Sequence, residues 1–240
     1  MGKQDYYTGH EIIKNNSRMY AGLRTRQYKY DIELSSPREG QKEAFSIVQK
    51  FTDNFIDGEK QVGLLLLGGV GSGKTFMVAS VVNNIIDEIY KKVDESEAEN
   101  AIEKTAAAGY SFWHFRPKIP VIFISVADLM NQLKACFNKD PDDDISPRII
   151  ETLQKVELLI LDDLGAEKSS EWVCEKLFEI IDYRYNENLP MLVTTNCVPE
   201  ELKKQIGDRN FDRLREMCAL VTVMAKSQRP TAEISGKDEV

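Results

Sequence analysis

Residues 62–75 read VGLLLLGGVGSGKT, and this stretch decides the fold. Its apolar run, from Val62 through four consecutive leucines, has the length of a buried strand and is too short for a core helix. The run passes directly into Gly68, Gly69, Val70, Gly71, Ser72, Gly73, Lys74 and Thr75, which satisfy the spacing G-x-x-x-x-G-K-[ST]. Glycines let backbone N–H groups turn inward with no side chain in the way. A helix beginning at Lys74, Thr75 and Phe76 aims its positive end at the same point. The pattern predicts a cradle for a triphosphate, with Lys74 reaching the β- and γ-phosphates and the Thr75 hydroxyl helping to hold Mg²⁺.

Working outward, residues 76–89 are apolar on most faces, as suits a helix sandwiched between a sheet and another layer. Upstream, Ala44, Phe45, Val48, Phe51, Phe55 and Ile56 recur near helical spacing after Pro37. Downstream, VIFISV at 121–126, the apolar run 156–161, MLVTTN at 191–196 and residues 219–224 read as further strands. Helical stretches at 127–137 and 172–188 separate them, the second with Val173, Leu177, Ile180 and Ile181 on one face. Strands alternating with helices predict an α/β fold, a five-stranded parallel sheet flanked by helices.

The strand at 156–161 ends in Asp162 and Asp163, placing two acids where open α/β sheets bind ligands. Beside a phosphate loop, Asp162 is expected to hold the metal through its water shell and Asp163 to orient or deprotonate an attacking water. The next strand carries Thr194, Thr195 and Asn196 at its tip, where a polar side chain can bond the γ-phosphate or the water. Arg209 and Arg213 are four apart and share a helix face, which suits either a surface salt-bridge pair or arginines that reach a neighbouring subunit's nucleotide.

Length and composition narrow the classes. A chain of 240 residues suits one α/β domain with extensions, and a net charge of -8 argues against a uniformly basic nucleic-acid binder. The four cysteines form no C-x-x-C pair, so neither a zinc site nor a disulfide framework is indicated and a reducing cytoplasm is the expected location. His10 and His114 have no ligand-rich neighbourhood, and no apolar run is long enough to span a membrane. Residues 1–36 read as an arm in which Lys14, Arg18, Arg24, Arg26 and Lys29 alternate with Tyr20, Tyr28 and Tyr30. Such an arm either holds a nucleic-acid strand or acidic partner, or packs its tyrosines on the domain. The core is expected over 37–226, with an acidic then aromatic insertion at about 93–119 that includes Tyr110, Phe112, Trp113 and Phe115. The run Asp142, Asp143 and Asp144 reads as a solvated loop before a Ser146-Pro147 helix cap. A polar tail over 227–240 leaves no room for a helical lid after the last strand.

The loop at 68–75, LLILDDLGAE at 158–167, LVTTN at 192–196 and DRNFDRL at 208–214 together resemble the bacterial and phage replicative helicase loaders of the DnaC/DnaI type, members of the AAA+ ATPase class with IstB-like relatives. The resemblance covers roughly residues 45–229 and includes VADLM at 126–130. It implies an ATP- and Mg²⁺-dependent ATPase with Asn196 as sensor, Arg213 as arginine finger beside Arg209, and Arg229 as a second sensing arginine. It further implies a homo-oligomer, single-stranded DNA and a replicative DNA helicase as partners, and no membrane. Two features depart from the pattern: Asp163 stands where many relatives of the class carry Glu, and only some 40 residues precede the first core helix. A transposase-assisting ATPase of an insertion sequence shares this core. A nucleotide-binding scaffold with little turnover, or a small-molecule kinase, is the alternative of another class, although no arginine-rich lid segment lies between the strands.

Overall fold

The computed structural model describes residues 9–31, 36–91, 119–136, 146–167 and 169–225. Five parallel strands, β1 (Gly63–Leu67), β2 (Val121–Ser125), β3 (Leu158–Asp162), β4 (Met191–Thr195) and β5 (Cys218–Thr222), lie in the order β2-β3-β4-β1-β5. β1, β3 and β4 are buried along their whole length, so their sequences show no polar alternation and turn polar only at the carboxyl ends, at Asp162 of β3 and at Thr194 and Thr195 of β4. Alternate residues still separate by face. Leu64 and Leu66 join one apolar cluster and Leu65 and Leu67 the other.

The first face is covered by α1 (Gly9–Tyr20), a 3₁₀ turn (Thr25–Lys29), α2 (Lys42–Ile56) and α3 (Lys74–Lys91). The opposite face carries α4 (Val126–Cys136), α5 (Ser146–Lys155), α6 (Glu171–Asn186), α7 (Pro199–Ile206) and α8 (Asp208–Met217). The predicted elements are present with ends shifted by a few residues, and the β3 strand reaches one residue further than the apolar run, taking in Asp162. Among the described residues, no helix is long and apolar enough to cross a membrane.

Where it is described, the N-terminal arm is helical and fastened to the domain. Arg18 donates to both carboxylate oxygens of Asp87 at 2.9 and 3.2 Å, Ser17 and Tyr90 hydroxyls meet at 2.8 Å, and Asn83 donates to the carbonyls of Gln27 and Tyr30. Tyr28 and Tyr30 pack against the first cluster. Of the two readings of the arm, the structure supports the one in which its tyrosines pack on the domain. The arm reaches the open edge of β2, where Phe123 N–H donates to the Ala21 carbonyl at 2.6 Å. The next residue, Gly22, has φ +92 and a Cβ there would stand 1.9 Å from the Phe123 carbonyl oxygen. Gly22→Ala is therefore expected to unseat the arm, lowering the melting temperature by roughly 5 °C and exposing the Phe123 amide to hydrogen exchange.

A second tie has no counterpart in the sequence reading. Arg184 of α6 is fully buried and donates to five backbone carbonyls: Leu153 at 2.9 Å, Gln154 at 3.1 Å, Val156 at 2.7 Å, Glu157 at 3.2 Å and Pro190 at 2.7 Å. These are the orphan acceptors at the end of α5 and at the approaches to β3 and β4. Burial pulls the guanidinium pKa down to about 9, which leaves it a cation at neutral pH. Burial likewise pushes the Cys218 thiol up to about 12, so this cysteine is an inert packing residue.

Candidate functional site

Parallel pairing sets Leu67 level with Thr195, and Leu161 level with Val193. The residues that follow β1, β3 and β4 therefore emerge side by side at the carboxyl edge of the sheet, where ligands bind in such folds. The phosphate loop, Asp162 and Asp163, and Asn196 are brought together there by strand register alone.

Lys74 is the first residue of α3 and 6% exposed. Its ammonium donates to the carbonyls of Gly68 at 2.6 Å and Gly69 at 2.9 Å, to Ser72 Oγ at 3.3 Å and to Asn196 Oδ1 at 2.8 Å. Burial holds its pKa below the ordinary lysine value, against the opposing pull of Asp163 and Asp162. Thr75 Oγ1 lies 3.0 and 3.1 Å from the two carboxylate oxygens of Asp162. The Asp162 carboxyl is pushed above its usual range by burial, opposed by the hydroxyls of Thr194 and Thr75. Asp163 adopts φ 61, and its Oδ1 accepts from Asn196 Nδ2.

Lys74, Asn196 and Asp163 thus form one hydrogen-bonded chain across the three strand ends. The paired hydroxyl and carboxylate of Thr75 and Asp162 offer hard oxygen donors of the kind a divalent cation shared with phosphates requires. Among the described residues no group of three or more His, Cys, Asp or Glu could hold a metal unaided.

Phe76 contributes its backbone to the helix start, where the first N–H groups have no intrahelical acceptor. Its ring packs away from the loop, 5.0 Å from Tyr30 and 6.1 Å from Phe45. Sequence reasoning missed Gln41. This residue is 4% exposed, accepts from Arg38 N–H at 2.9 Å and donates to the Ser72 carbonyl at 2.6 Å. Gly73 has φ +101, and a Cβ on it would meet Gln41 Nε2 at 2.5 Å, so glycine is required twice over. Only a Gln just ahead of the first core helix marked this position in the sequence, and by itself that is no signal.

The two arginines lie apart from this cluster in their own chain. Arg213 Nε stands 2.6 Å from Asp182 Oδ1 on α6, and its guanidinium lies 4.8 Å from the Phe178 ring centre and 5.7 Å from that of Tyr185. The approach to Asp182 is a close ion pair that lacks the direction of a full hydrogen bond. Arg209, exposed on the first turn of α8, lines a groove with Glu171 and Glu175. Arg229, His114, the aromatic cluster at 110–115 and Asp142 to Asp144 lie outside the described residues. Beside the acids opens a cleft of about 1090 Å³, lined by Thr75, Asp162 and Asp163 and by Arg24, Arg26 and Arg148.

A phosphate loop at a sheet's switch point, a buried lysine, an acid against the loop threonine and an asparagine at the adjacent strand tip define a nucleotide-binding protein of the AAA+ phosphate-loop class. Residues 103–234 match the model of the IstB-like ATP binding protein family, which is more than half of the chain. The chain belongs to that family. The match begins downstream of the phosphate loop, so the loop supports the same class independently.

The chain is 25% identical over 177 residues to the replicative helicase loader DnaC of Escherichia coli (strain K12), covering 74% of this chain and 59% of that one. It is 24% identical over 173 residues to the replicative helicase loader DnaI of Bacillus subtilis (strain 168), covering 72% and 44%. The chain spans about half the length of the curated relatives it matches. The crystal structure of the DnaC helicase loader superposes with a TM-score of 0.61 at 24% identity, over 83% of this chain and 99% of that one. The resemblance to DnaC/DnaI-type loaders read from the motifs is therefore borne out, as is the five-stranded parallel fold.

Proposed function

We propose that this protein is an ATP-driven switch that binds single-stranded DNA and delivers a replicative DNA helicase, hydrolysing ATP slowly unless assembled or bound to DNA. The observation that carries the reading is the hydrogen-bonded chain from Lys74 through Asn196 to Asp163, next to the Thr75–Asp162 pair. A triphosphate entering the loop competes with the loop carbonyls and Asn196 for the Lys74 ammonium. Asn196 is then free to report whether the γ-phosphate is present, and Asp163 to orient water at it. Thr75 and Asp162 would hold Mg²⁺, which supplies charge neutralisation at the phosphates. Asp163 orients the water with a side chain one methylene shorter than Glu, which fits slow turnover.

Arg213 is the candidate for the group supplied to a neighbouring subunit's nucleotide, with Arg209 on the same helix and Arg229 as a further sensing arginine. Asp182, Phe178 and Tyr185 would keep Arg213 in place until assembly. The reading is supported by the likeness to DnaC and DnaI. Purified protein is expected to hydrolyse ATP several-fold faster with single-stranded DNA than without it. A rate indifferent to DNA would turn the reading toward a nucleotide-binding scaffold.

The family match favours a second reading, an ATPase that assists a transposase. Duplex DNA, not single strands, would then be the stimulating polymer in the same assay.

A further inference from the structure

Thr194 sits on β4, 1% exposed, level with Leu66 of β1 and between the phosphate loop and the acids. Its single hydroxyl proton goes to Asp162 Oδ1 at 2.7 Å, and the same oxygen accepts the Asp163 backbone N–H at 2.9 Å. A hydroxyl has one proton to give, and with the carboxylate as its acceptor the two roles cannot interchange. The Thr194 carbonyl also accepts from Leu164 N–H at 2.8 Å, so the clamp on Asp163 comes from Thr194, whereas Thr195 Oγ1 bonds one residue beyond it, donating to the Leu164 carbonyl at 2.7 Å.

This clamp surrounds a residue in an unfavourable conformation. Asp163 has φ 61, a left-handed backbone uncommon for non-glycine residues, although Asp tolerates it better than most. In this conformation Asp163 N–H is bonded to Thr194 Oγ1 and the Asp163 carboxylate meets Asn196. The other end of the same hydroxyl fixes the Asp162 oxygen that faces Thr75 Oγ1 at 3.0 Å.

We propose that Thr194 is a positioning residue for both acids, orienting Asp162 toward the Thr75 hydroxyl for the divalent cation and setting the backbone turn that aims Asp163 at Asn196. The proposal rests on the nucleotide reading above. Valine keeps the shape of threonine and removes the hydroxyl, which frees Asp162 to rotate and leaves the Asp163 N–H without its acceptor. Thr195 is the control, because it is equally buried, bonds the same loop and touches neither carboxylate.

The test is binding of a fluorescent ATP analogue to the full chain with Mg²⁺ or with EDTA, alongside ATP hydrolysis as a function of Mg²⁺. For Thr194→Val, affinity in EDTA is expected within about twofold of wild type, while the Mg²⁺ concentration for half-maximal binding enhancement rises at least about tenfold. Thr194→Ser is expected to behave as wild type and Thr195→Val to keep the wild-type Mg²⁺ dependence. In the Mg²⁺ dependence of binding, the double variant Thr194→Val/Asp162→Asn is expected to be no worse than Asp162→Asn alone, since Thr194 acts on the cation through that carboxylate. A wild-type Mg²⁺ response in Thr194→Val, a defect in Thr194→Ser as large as in the valine variant, or additive losses of Mg²⁺-dependent binding in the double variant overturns the proposal. Failure of the wild type to bind the analogue under either condition overturns the nucleotide reading itself, and the proposal with it.

Discussion

Lys74→Ala is expected to lower affinity for ATP by at least about 100-fold while leaving the melting temperature unchanged or raised. The loss follows from removing a charge-assisted donor to the phosphates, a cost of about 3 kcal/mol when two such bonds go at once. The stability side comes from the surroundings of the ammonium, which is nearly buried and is held by carbonyls, a hydroxyl and an amide with no direct carboxylate contact. Burial lowers its folded-state pKa. Between that value and the unfolded one, the folded chain binds fewer protons, so its stability rises with pH across that window. Below the window the folded chain carries the cost of a buried cation, and alanine removes that cost. Calorimetric titration with ATP and a thermal melt on the same sample check both halves. A strongly destabilised Lys74→Ala would mean that the lysine is a structural cap.

Arg184→Leu is expected to have the largest effect on stability, a loss of about 3–5 kcal/mol and a melting temperature lower by roughly 10 °C or more. Leucine fills much of the space but removes the donor shared by five carbonyls, buried or partly buried, at the end of α5 and at the starts of β3 and β4, of which Pro190 keeps only a long bond from Leu159 N–H. Arg184→Lys should recover only part of the loss, since an ammonium has three protons for those five acceptors. Because these contacts lie at the amino edge of the sheet, opposite the phosphate loop, the surviving folded fraction should bind ATP with wild-type affinity. Urea melts followed by nucleotide titration separate the two effects.

The contrast between these residues shows what the sequence could reveal. Lys74, Thr75 and Asp162 are legible because their chemistry requires fixed spacing next to an apolar run, and strand register then gathers them. Asn196 is legible from its place at a strand tip. Arg184 is not legible, because its partners are backbone carbonyls and leave no trace in residue type. Nor does Thr194 stand out, since a threonine inside a strand is an ordinary β-former until its hydroxyl is seen between two acids.

Gln41 and Gly22 likewise act through contacts made between distant segments. The arm is ambiguous in the sequence. Its basic and aromatic residues fit either a nucleic-acid strand or acidic partner, or packing on the domain, and only the structure shows Arg18 bound to Asp87 and Tyr28 and Tyr30 packed there. The helix of the arm was also invisible to pattern reading, because its polar residues outnumber its apolar ones. Arg213 shows the limit of motif reading: its position in DRNFDRL suggests action on another subunit, while its contacts within one chain are with Asp182 and two aromatic rings.

The most direct test of the assembling switch is hydrolysis by mixtures of two inactive variants in the presence of single-stranded DNA. Lys74→Ala cannot hold ATP but still carries Arg213, and Arg213→Ala holds ATP but lacks the guanidinium. If Arg213 serves a neighbour's nucleotide, an equal mixture hydrolyses ATP well above either variant alone, approaching about a quarter of the wild-type rate per total protein, as expected for random pairing in which the arginine supplies a large rate factor. A mixture no faster than the sum of its parts, with Arg213→Ala still binding ATP, would contradict assembly through this arginine and leave a nucleotide-binding domain that works as separate copies.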